Sequence, residues 1–125
     1  MNAMNDVLTT VDEGGIVTIE GSPGRSMLVA AGTIDGLLEA CFAADAVAAL
    51  LFAENLPAEF FDLSSGVAGA MLQKLRLYGI RLAVVLNPGT DPGSSRFEEL
   101  VAEERTRRDF GVFASRAEAR QWLAS

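Results

Sequence analysis

The chain has 125 residues, of which 50% are hydrophobic and 22% charged, which suffices for one hydrophobic core but not for two domains. Its formal net charge of −7 offers no basic surface to a nucleic-acid backbone. The absence of histidine excludes Ser-His and Cys-His nucleophile pairs and imidazole metal ligands. We therefore expect a single domain over residues 1–125, without a nucleic-acid partner.

The longest apolar run, residues 46–53, is too short to span a membrane, and the first ten residues lack the basic and apolar segments of a signal peptide. A cytoplasmic protein with no membrane partner is the expectation. Cys41 is the sole cysteine and has apolar neighbours, which is typical of a buried thiol rather than a nucleophile. The sequence gives no reason to expect a metal ion or a cofactor.

The N-terminal part of the chain predicts an antiparallel hairpin. Residues 7–11 and 16–20 are rich in β-forming side chains and flank a polar glycine turn at residues 12–15. A third short strand is predicted over residues 27–31, after a loop of glycine, serine and proline.

The middle of the chain alternates helical and strand patterns. Thr33 precedes apolar residues spaced i, i+3, i+4 and i+7, which predicts an amphipathic helix through Ile34, Leu37, Leu38 and Cys41. Residues 47–52 form a continuous apolar run, which is typical of a strand covered on both faces.

Pro57 begins a predicted short helix that carries two phenylalanines, and the main helix follows over residues 66–78 with Gly79 after its end. Its apolar stripe consists of Val67, Met71, Leu75 and Tyr78. Residues 81–86 predict a second buried strand. A charged helix is predicted to begin near Ser95, a last strand to cover residues 110–113, and a closing helix to be capped by Ser115.

The predicted order is β-β-β-α-β-α-β-α-β-α. Right-handed crossovers make the later strands parallel, because each helix returns the chain to the same edge of the sheet. The predicted fold class is α/β: a single sheet of about 4–5 mixed strands with an antiparallel N-terminal hairpin, parallel later strands and about four helices.

Polar residues follow the predicted parallel strands, where helix N-termini carry partial positive charge. The candidate binding or regulatory residues are Glu54, Asp62, Ser64, Ser65, Gly66, Gly69, Asn87 and Asp91. The serines can serve as helix caps, and the glycines allow neighbouring backbone to pack closely. They can equally form a switch, since a phosphate on Ser65 adds roughly two negative charges near Asp62 and Glu54 and would repel an acidic partner.

Two other interpretations stay open. The carboxylates of Glu54, Asp62 and Asp91, with Asn87, predict a small-molecule site or a small enzyme if they converge in one cleft. No metal-specific motif or activated nucleophile accompanies them, so a non-enzymatic role is favoured. The third interpretation is a structural homodimer that buries an edge strand or outer helices.

The segment AEFFDLSSGVAGAMLQKLRLYGIRLAVV, residues 58–85, resembles the central motif of bacterial domain-of-unknown-function family 4180, which has no established activity. Ala70 departs from the family pattern, in which a small acidic residue follows the second glycine. The matching positions are Phe60, Phe61, Asp62, Leu63, Gly66, Ala68, Gly69, Leu72, Gln73 and Lys74.

The element order and the Asp-Leu-Ser-Ser-Gly turn are more distantly similar to STAS domains, the module of anti-sigma-factor antagonists. This resemblance implies a STAS-like fold and a protein partner such as a kinase or an anti-sigma-like regulator. It also implies phosphorylation of Ser65, the position that precedes Gly66, with release of the partner. Leu63 separates the aspartate from the serine pair, whereas in STAS domains the aspartate usually adjoins it.

Overall fold

The computed structural model describes residues 8–13, 15–22, 30–56, 58–61, 66–86, 102 and 108–124. Within these ranges lie five strands, three α-helices and two short 3-10 helices. The strands are β1 Leu8–Glu13, β2 Ile16–Gly21, β3 Ala48–Phe52, β4 Arg81–Val85 and β5 Phe110–Phe113. The α-helices are α1 Ala30–Ala44, α2 Val67–Leu77 and α3 Arg116–Ala124, and the 3-10 helices are Ala53–Asn55 and Ala58–Phe61.

The five strands form one mixed sheet in the order β1-β2-β3-β4-β5. The hairpin of β1 and β2 is antiparallel, with Leu8 opposite Gly21 and Glu13 opposite Ile16. Every later pairing is parallel. The predicted α/β class, the mixed sheet, the antiparallel opening and the parallel later strands are therefore confirmed, and the hairpin strands extend to Glu13 and Gly21.

The predicted third strand is wrong where the structure describes it. Residues 30 and 31 belong to α1, which begins at Ala30, so the predicted helix start at Thr33 is three residues late. Alanine is the strongest helix former and a weak strand former, so the helix extends backward through Ala30 and Ala31. Residues 27–29 lie outside the described ranges. Of the charged helix predicted from Ser95, the structure describes Ala102, which is helical.

The sheet has a helix layer on each face. On one face α1 and α2 bury Leu37, Cys41, Met71 and Leu75 against alternate strand residues. On the other face α3 buries Ala119 and Leu123 against the remaining strand residues. Every residue of β3 is buried, which confirms the strand predicted to be covered on both faces.

Two helix termini, the end of α2 and the start of α3, follow the predicted signals. The amides of Gly79 and Ile80 donate to the carbonyls of Arg76 and Leu75 at 3.1 and 2.9 Å, which closes α2 in a Schellman motif with Gly79 at φ 72°. The Ser115 Oγ accepts from the Glu118 amide at 3.2 Å, so Ser115 caps α3 as predicted.

Candidate functional site

One edge of the sheet collects the ends of all four parallel strands, and we call it the carboxyl edge. β2, β3, β4 and β5 end there at Gly21, Phe52, Val85 and Phe113. Helices α2 and α3 begin at this edge, because each follows a strand that ends there. The amino-terminal ends of these helices give the edge partial positive charge.

The carboxyl edge contains the described members of the predicted site. Glu54 is half-buried in the 3-10 helix that follows β3, Gly66 is exposed just before α2, and Gly69 is exposed in the first turn of α2. Asp62, Ser64, Ser65, Asn87 and Asp91 lie outside the described residues, so their grouping with these three stays a prediction.

The start of α2 has a particular backbone. Gly66 is the N-cap residue, with φ 79° and ψ −4°, and its carbonyl accepts from the Ala70 amide at 3.0 Å. This left-handed conformation favours glycine because a Cβ atom is strained there. The N-cap position therefore carries no side-chain hydroxyl, which corrects the expectation that a serine holds that position.

The surface of this first turn is formed by small residues. Gly66, Gly69 and Ala70 are exposed, and a Cβ atom added at either glycine would meet no atom of the described residues within 4 Å. Contacts with the described part of the chain therefore do not require glycine at position 69. The turn combines low steric bulk with the positive end of a helix dipole, a surface that suits close approach by another molecule or an added anionic group.

Asn55 is a residue of this edge that the site prediction omitted. Its side chain is fully buried, its Oδ1 accepts from the Phe52 amide at 2.7 Å, and its Nδ2 donates to the Ser22 carbonyl at 2.8 Å. The side-chain amide thereby joins the ends of β2 and β3. A Cβ on Gly21 would collide with Asn55 Oδ1, so glycine is required there. The signal in the sequence was an asparagine three residues after the end of a buried strand.

A second omitted feature is an ion-pair network between the hairpin and α3. Glu20 is buried in β2 and accepts from Arg116 Nε at 2.8 Å and from Arg120 Nη1 at 3.0 Å. Glu13 lies 3.0 Å from Arg120 Nη2. The hydrogen bond to Glu20 is the main cause that raises the pKa of Arg116. In the sequence, this network was signalled by a glutamate within an apolar strand and by two arginines spaced i and i+4 in the last helix.

The chemistry available to the described residues is limited. They contain no group of three or more aspartate, glutamate or cysteine side chains that could hold a metal ion. Burial raises the pKa of the Cys41 thiol to about 11, so the thiolate needed for nucleophilic attack is disfavoured at neutral pH. The carboxylate site stays a prediction, because Asp62 and Asp91 fall outside the described ranges.

The sheet and its two helix layers define a small α/β domain with an exposed helix start at the carboxyl edge. The family model described as "Domain of unknown function (DUF4180)" matches residues 16–123, and the chain belongs to this family. No curated protein and no solved structure matches the chain. None of the helices in the described ranges has the length and apolar character needed to cross a membrane.

Proposed function

We propose that this chain is a non-enzymatic regulatory or protein-interaction module whose recognition surface is the start of α2, and that phosphorylation of Ser65 switches this surface. The observation that carries the proposal is the exposed, left-handed Gly66 at the N-cap of α2, directly after Ser65 in the sequence. The proposed surface comprises Asp62, Ser64, Ser65, Gly66 and Gly69, with Glu54, Asn87 and Asp91 around it.

Gly69 supports recognition at this turn. Glycine in a helix interior lowers stability by about 1 kcal/mol relative to alanine. Among the described residues, no atom lies within 4 Å of the position that a Cβ on Gly69 would take, so the described part of the fold does not need a glycine there. Close approach of a partner to the helix would explain why a glycine is present at this position.

The electrostatics of the helix start suit a phosphate switch. A phosphate on Ser65 would carry roughly two negative charges, which the N-terminus of α2 partly accommodates. The domain would therefore stay folded. The same charge would add to Asp62 and Glu54 in the surrounding segment, and an acidic partner surface would then be repelled.

The topology is compatible with a STAS-like domain, in which an antiparallel hairpin precedes parallel strands and the regulatory serine precedes a helix that follows a central strand. Ser65 has this position relative to β3 and α2. We therefore propose a kinase and an anti-sigma-like regulator as the classes of partner. Leu63, between the aspartate and the serines, departs from the STAS pattern and counts against recognition by a STAS-type kinase.

The strand order favours surface recognition over a strand-end ligand cleft. Ligand crevices in open α/β sheets form where the strand order reverses. The parallel strands here follow one another as β2-β3-β4-β5, and α1 and α2 pack on the same face. The described sheet therefore has no such reversal. A small-molecule site at Glu54, Asp62, Asn87 and Asp91 remains the alternative, and metabolite and metal-ion thermal-shift screening tests it.

The proposal is tested with protein isolated from its native host. Intact-mass and fragmentation spectra should show one phosphate, located on Ser65. A partner captured by the wild type and by Ser65→Ala should be lost with Ser65→Asp. Ser115→Asp is the matched control, since it adds a carboxylate at the N-cap of α3 and should leave capture unchanged. Absence of phosphate on Ser65 together with unchanged capture by Ser65→Asp would refute the switch.

A second candidate function is self-association, and a specific observation favours it. Phe42, Val47, Leu77 and Tyr78 are 52%, 55%, 75% and 50% exposed. Phe42 at the end of α1 and Tyr78 after α2 form an edge-to-face pair with ring centroids 5.2 Å apart. A homodimer would bury these rings between outer helices. Light scattering should then show a dimer that Phe42→Ser converts to a monomer, whereas a monomeric wild type at high concentration rules this out.

A further inference from the structure

An open groove of about 540 Å³ lies between the hairpin and α1, on the opposite side of α1 from α2, and we call it the hairpin groove. Among the described residues, Leu8, Thr10 and Asp12 of β1 and Val17 and Ile19 of β2 line its floor, because they share one face of the hairpin. Its wall consists of Ala40, Ala43 and Ala44 of α1. The groove is separate from the α2 surface proposed above as the recognition site.

The hairpin groove occupies the place where the helix layer ends. Helix α1 packs against β2, and its buried residues Leu37, Leu38 and Cys41 belong to the core shared with Ile19 and Ala49. In the part of the chain that the structure describes, no helix packs on β1 beside α1. A helix added beside α1 would continue the layer at the usual 8–10 Å interaxial distance.

The wall of the groove is suited to a helix. Ala43 is exposed, Ala40 and Ala44 are half-buried, and all three extend only a methyl group toward the hairpin. Small side chains at i, i+3 and i+4 let a second helix approach α1 closely. The larger apolar side chains of the occupant would then reach Leu8 and Val17, which are only partly covered by the chain itself.

One end of the groove is negatively charged. Asp12 is exposed at this end of the groove and shares the floor face with Val17, which it opposes in the hairpin register. The Val17 carbonyl accepts from the Val47 amide at 3.2 Å, which places this end of the hairpin beside the segment that follows α1. The C-terminus of α1 adds partial negative charge at the same end. A cationic group is therefore complementary to it.

We propose that the hairpin groove binds an amphipathic helix from a partner protein, with leucine or isoleucine side chains on the floor and a lysine or arginine over Asp12. The groove is open along a helix and a sheet face, which matches a helix better than an enclosed small molecule. Thr10, between Leu8 and Asp12 on the same face of the hairpin, provides a hydroxyl for a polar side chain of the occupant.

The test uses a synthetic amphipathic peptide of about 15 residues, long enough to form a helix, with leucine at i, i+3, i+4 and i+7 and arginine at one end. A second peptide has glutamate in place of arginine. Amide chemical shifts of labelled protein should change at Leu8, Val17, Ile19 and Ala43 during titration. The arginine peptide should bind about tenfold more tightly than the glutamate peptide, and Asp12→Asn should remove this preference.

Ala43→Trp should weaken peptide binding about tenfold by filling the groove, whereas Ala117→Trp, at an exposed position of α3, should leave it unchanged. Circular dichroism should show that both variants stay folded. Shift changes elsewhere, or equal effects of the two tryptophans, would overturn the proposal. Chemical-shift changes at the groove residues with hexylamine but not with peptide would also overturn it, because they would indicate a small-molecule site. If the chemical shifts of the groove residues change with protein concentration in the absence of peptide, the occupant is a second copy of the chain.

Discussion

The guanidinium carbon of Arg81 lies 4.3 Å from the ring centroid of Trp122, and Arg81 Nη2 donates to the Trp122 carbonyl at 3.3 Å. Arg81 also donates to the carbonyls of Leu123 at 3.1 Å and Arg108 at 2.9 Å. The first residue of β4 therefore holds the last turn of α3. Burial lowers the pKa of Arg81, and the carbonyl contacts offset the loss of hydration.

Arg81→Ala should lower the free energy of unfolding by about 2 to 3 kcal/mol, because it removes charged hydrogen bonds and the cation-π contact together. Trp122 is the sole tryptophan, so its emission should shift to the red as α3 loosens. Arg76→Ala is the control, because it breaks an exposed 3.0 Å pair with Asp109 and should cost less than about 1 kcal/mol. If urea unfolding shows the same loss of stability for Arg81→Ala and Arg76→Ala, Arg81 does not hold α3 in place.

The Asn55 junction predicts a coupled pair of substitutions. Gly21→Ala should destabilise the domain, because its Cβ collides with Asn55 Oδ1 and lies near a Leu51 methyl group. Asn55→Ala should cost about 2 to 4 kcal/mol, because the bonds to Phe52 and Ser22 are lost. The double variant should be less destabilised than the sum, with a coupling of about 1 kcal/mol or more in denaturant unfolding. Strict additivity would show that the collision is relieved by other movements.

Thr18 predicts a stabilising substitution. Its side chain is fully buried, and its Oγ1 is the buried side-chain polar atom without a hydrogen-bond partner among the residues described. Thr18→Val keeps the shape and removes the unsatisfied hydroxyl, so stability should rise by about 1 kcal/mol. Thr9→Val, at an exposed position of β1, should change it by less than about 0.5 kcal/mol. A loss of stability in Thr18→Val would mean that the hydroxyl does have a partner.

Replacing each of the two glycines at the start of α2 with alanine should change the stability of the domain in opposite directions. Gly69→Ala should raise the melting temperature, because the site has helical backbone and free space, with a gain of about 0.5 to 1 kcal/mol. Gly66→Ala should lower stability by about 1 kcal/mol, because φ is +79°. The proposed function adds that Gly69→Ala weakens partner capture despite its greater stability. The same sign for both substitutions would contradict the backbone assignment.

Cys41 predicts a loss of stability in alkali. Burial raises its pKa from 9.0 to about 11. Between these values the unfolded chain loses the thiol proton and the folded chain keeps it, so the folded state is increasingly disfavoured as pH rises. The free energy of unfolding should fall by on the order of 2 kcal/mol across this window. In Cys41→Ala, the free energy of unfolding, measured by urea titration at each pH, should no longer show this decrease. An unchanged pH dependence in the variant would refute the prediction.

The elements with strong local patterns were the ones that the sequence predicted well. Residues 48–52 form a buried strand because apolar side chains cover both faces. Helix α2 ends at Leu77, because the backbone turns left-handed two residues later at Gly79. The start of α1 was misplaced because Ala30 and Ala31 carry no side chain large enough to mark a buried face. Short sequence patterns therefore identified helices and strands more reliably than they located the ends of these elements.

The site was harder to predict because its contacts join distant parts of the chain. Asn55 is 33 residues from Ser22, and Glu20 is 96 residues from Arg116. A pattern within one helix or strand contains no information on which distant group will satisfy a buried polar atom. The glycines at the start of α2 were identified from their place in the sequence at a predicted helix start, whereas their different backbone conformations required the structure.

The pairing of Glu20 with Arg116 and Arg120 has a consequence for synthesis of the protein. These partners follow Glu20 by 96 and 100 residues, so translation releases the carboxylate long before its cations. An incomplete nascent chain that lacks α3 would have to keep Glu20 hydrated, since a buried unpaired carboxylate is strongly unfavourable. The face of β2 that carries Glu20 can therefore become buried only after the ribosome has made Arg116 and Arg120.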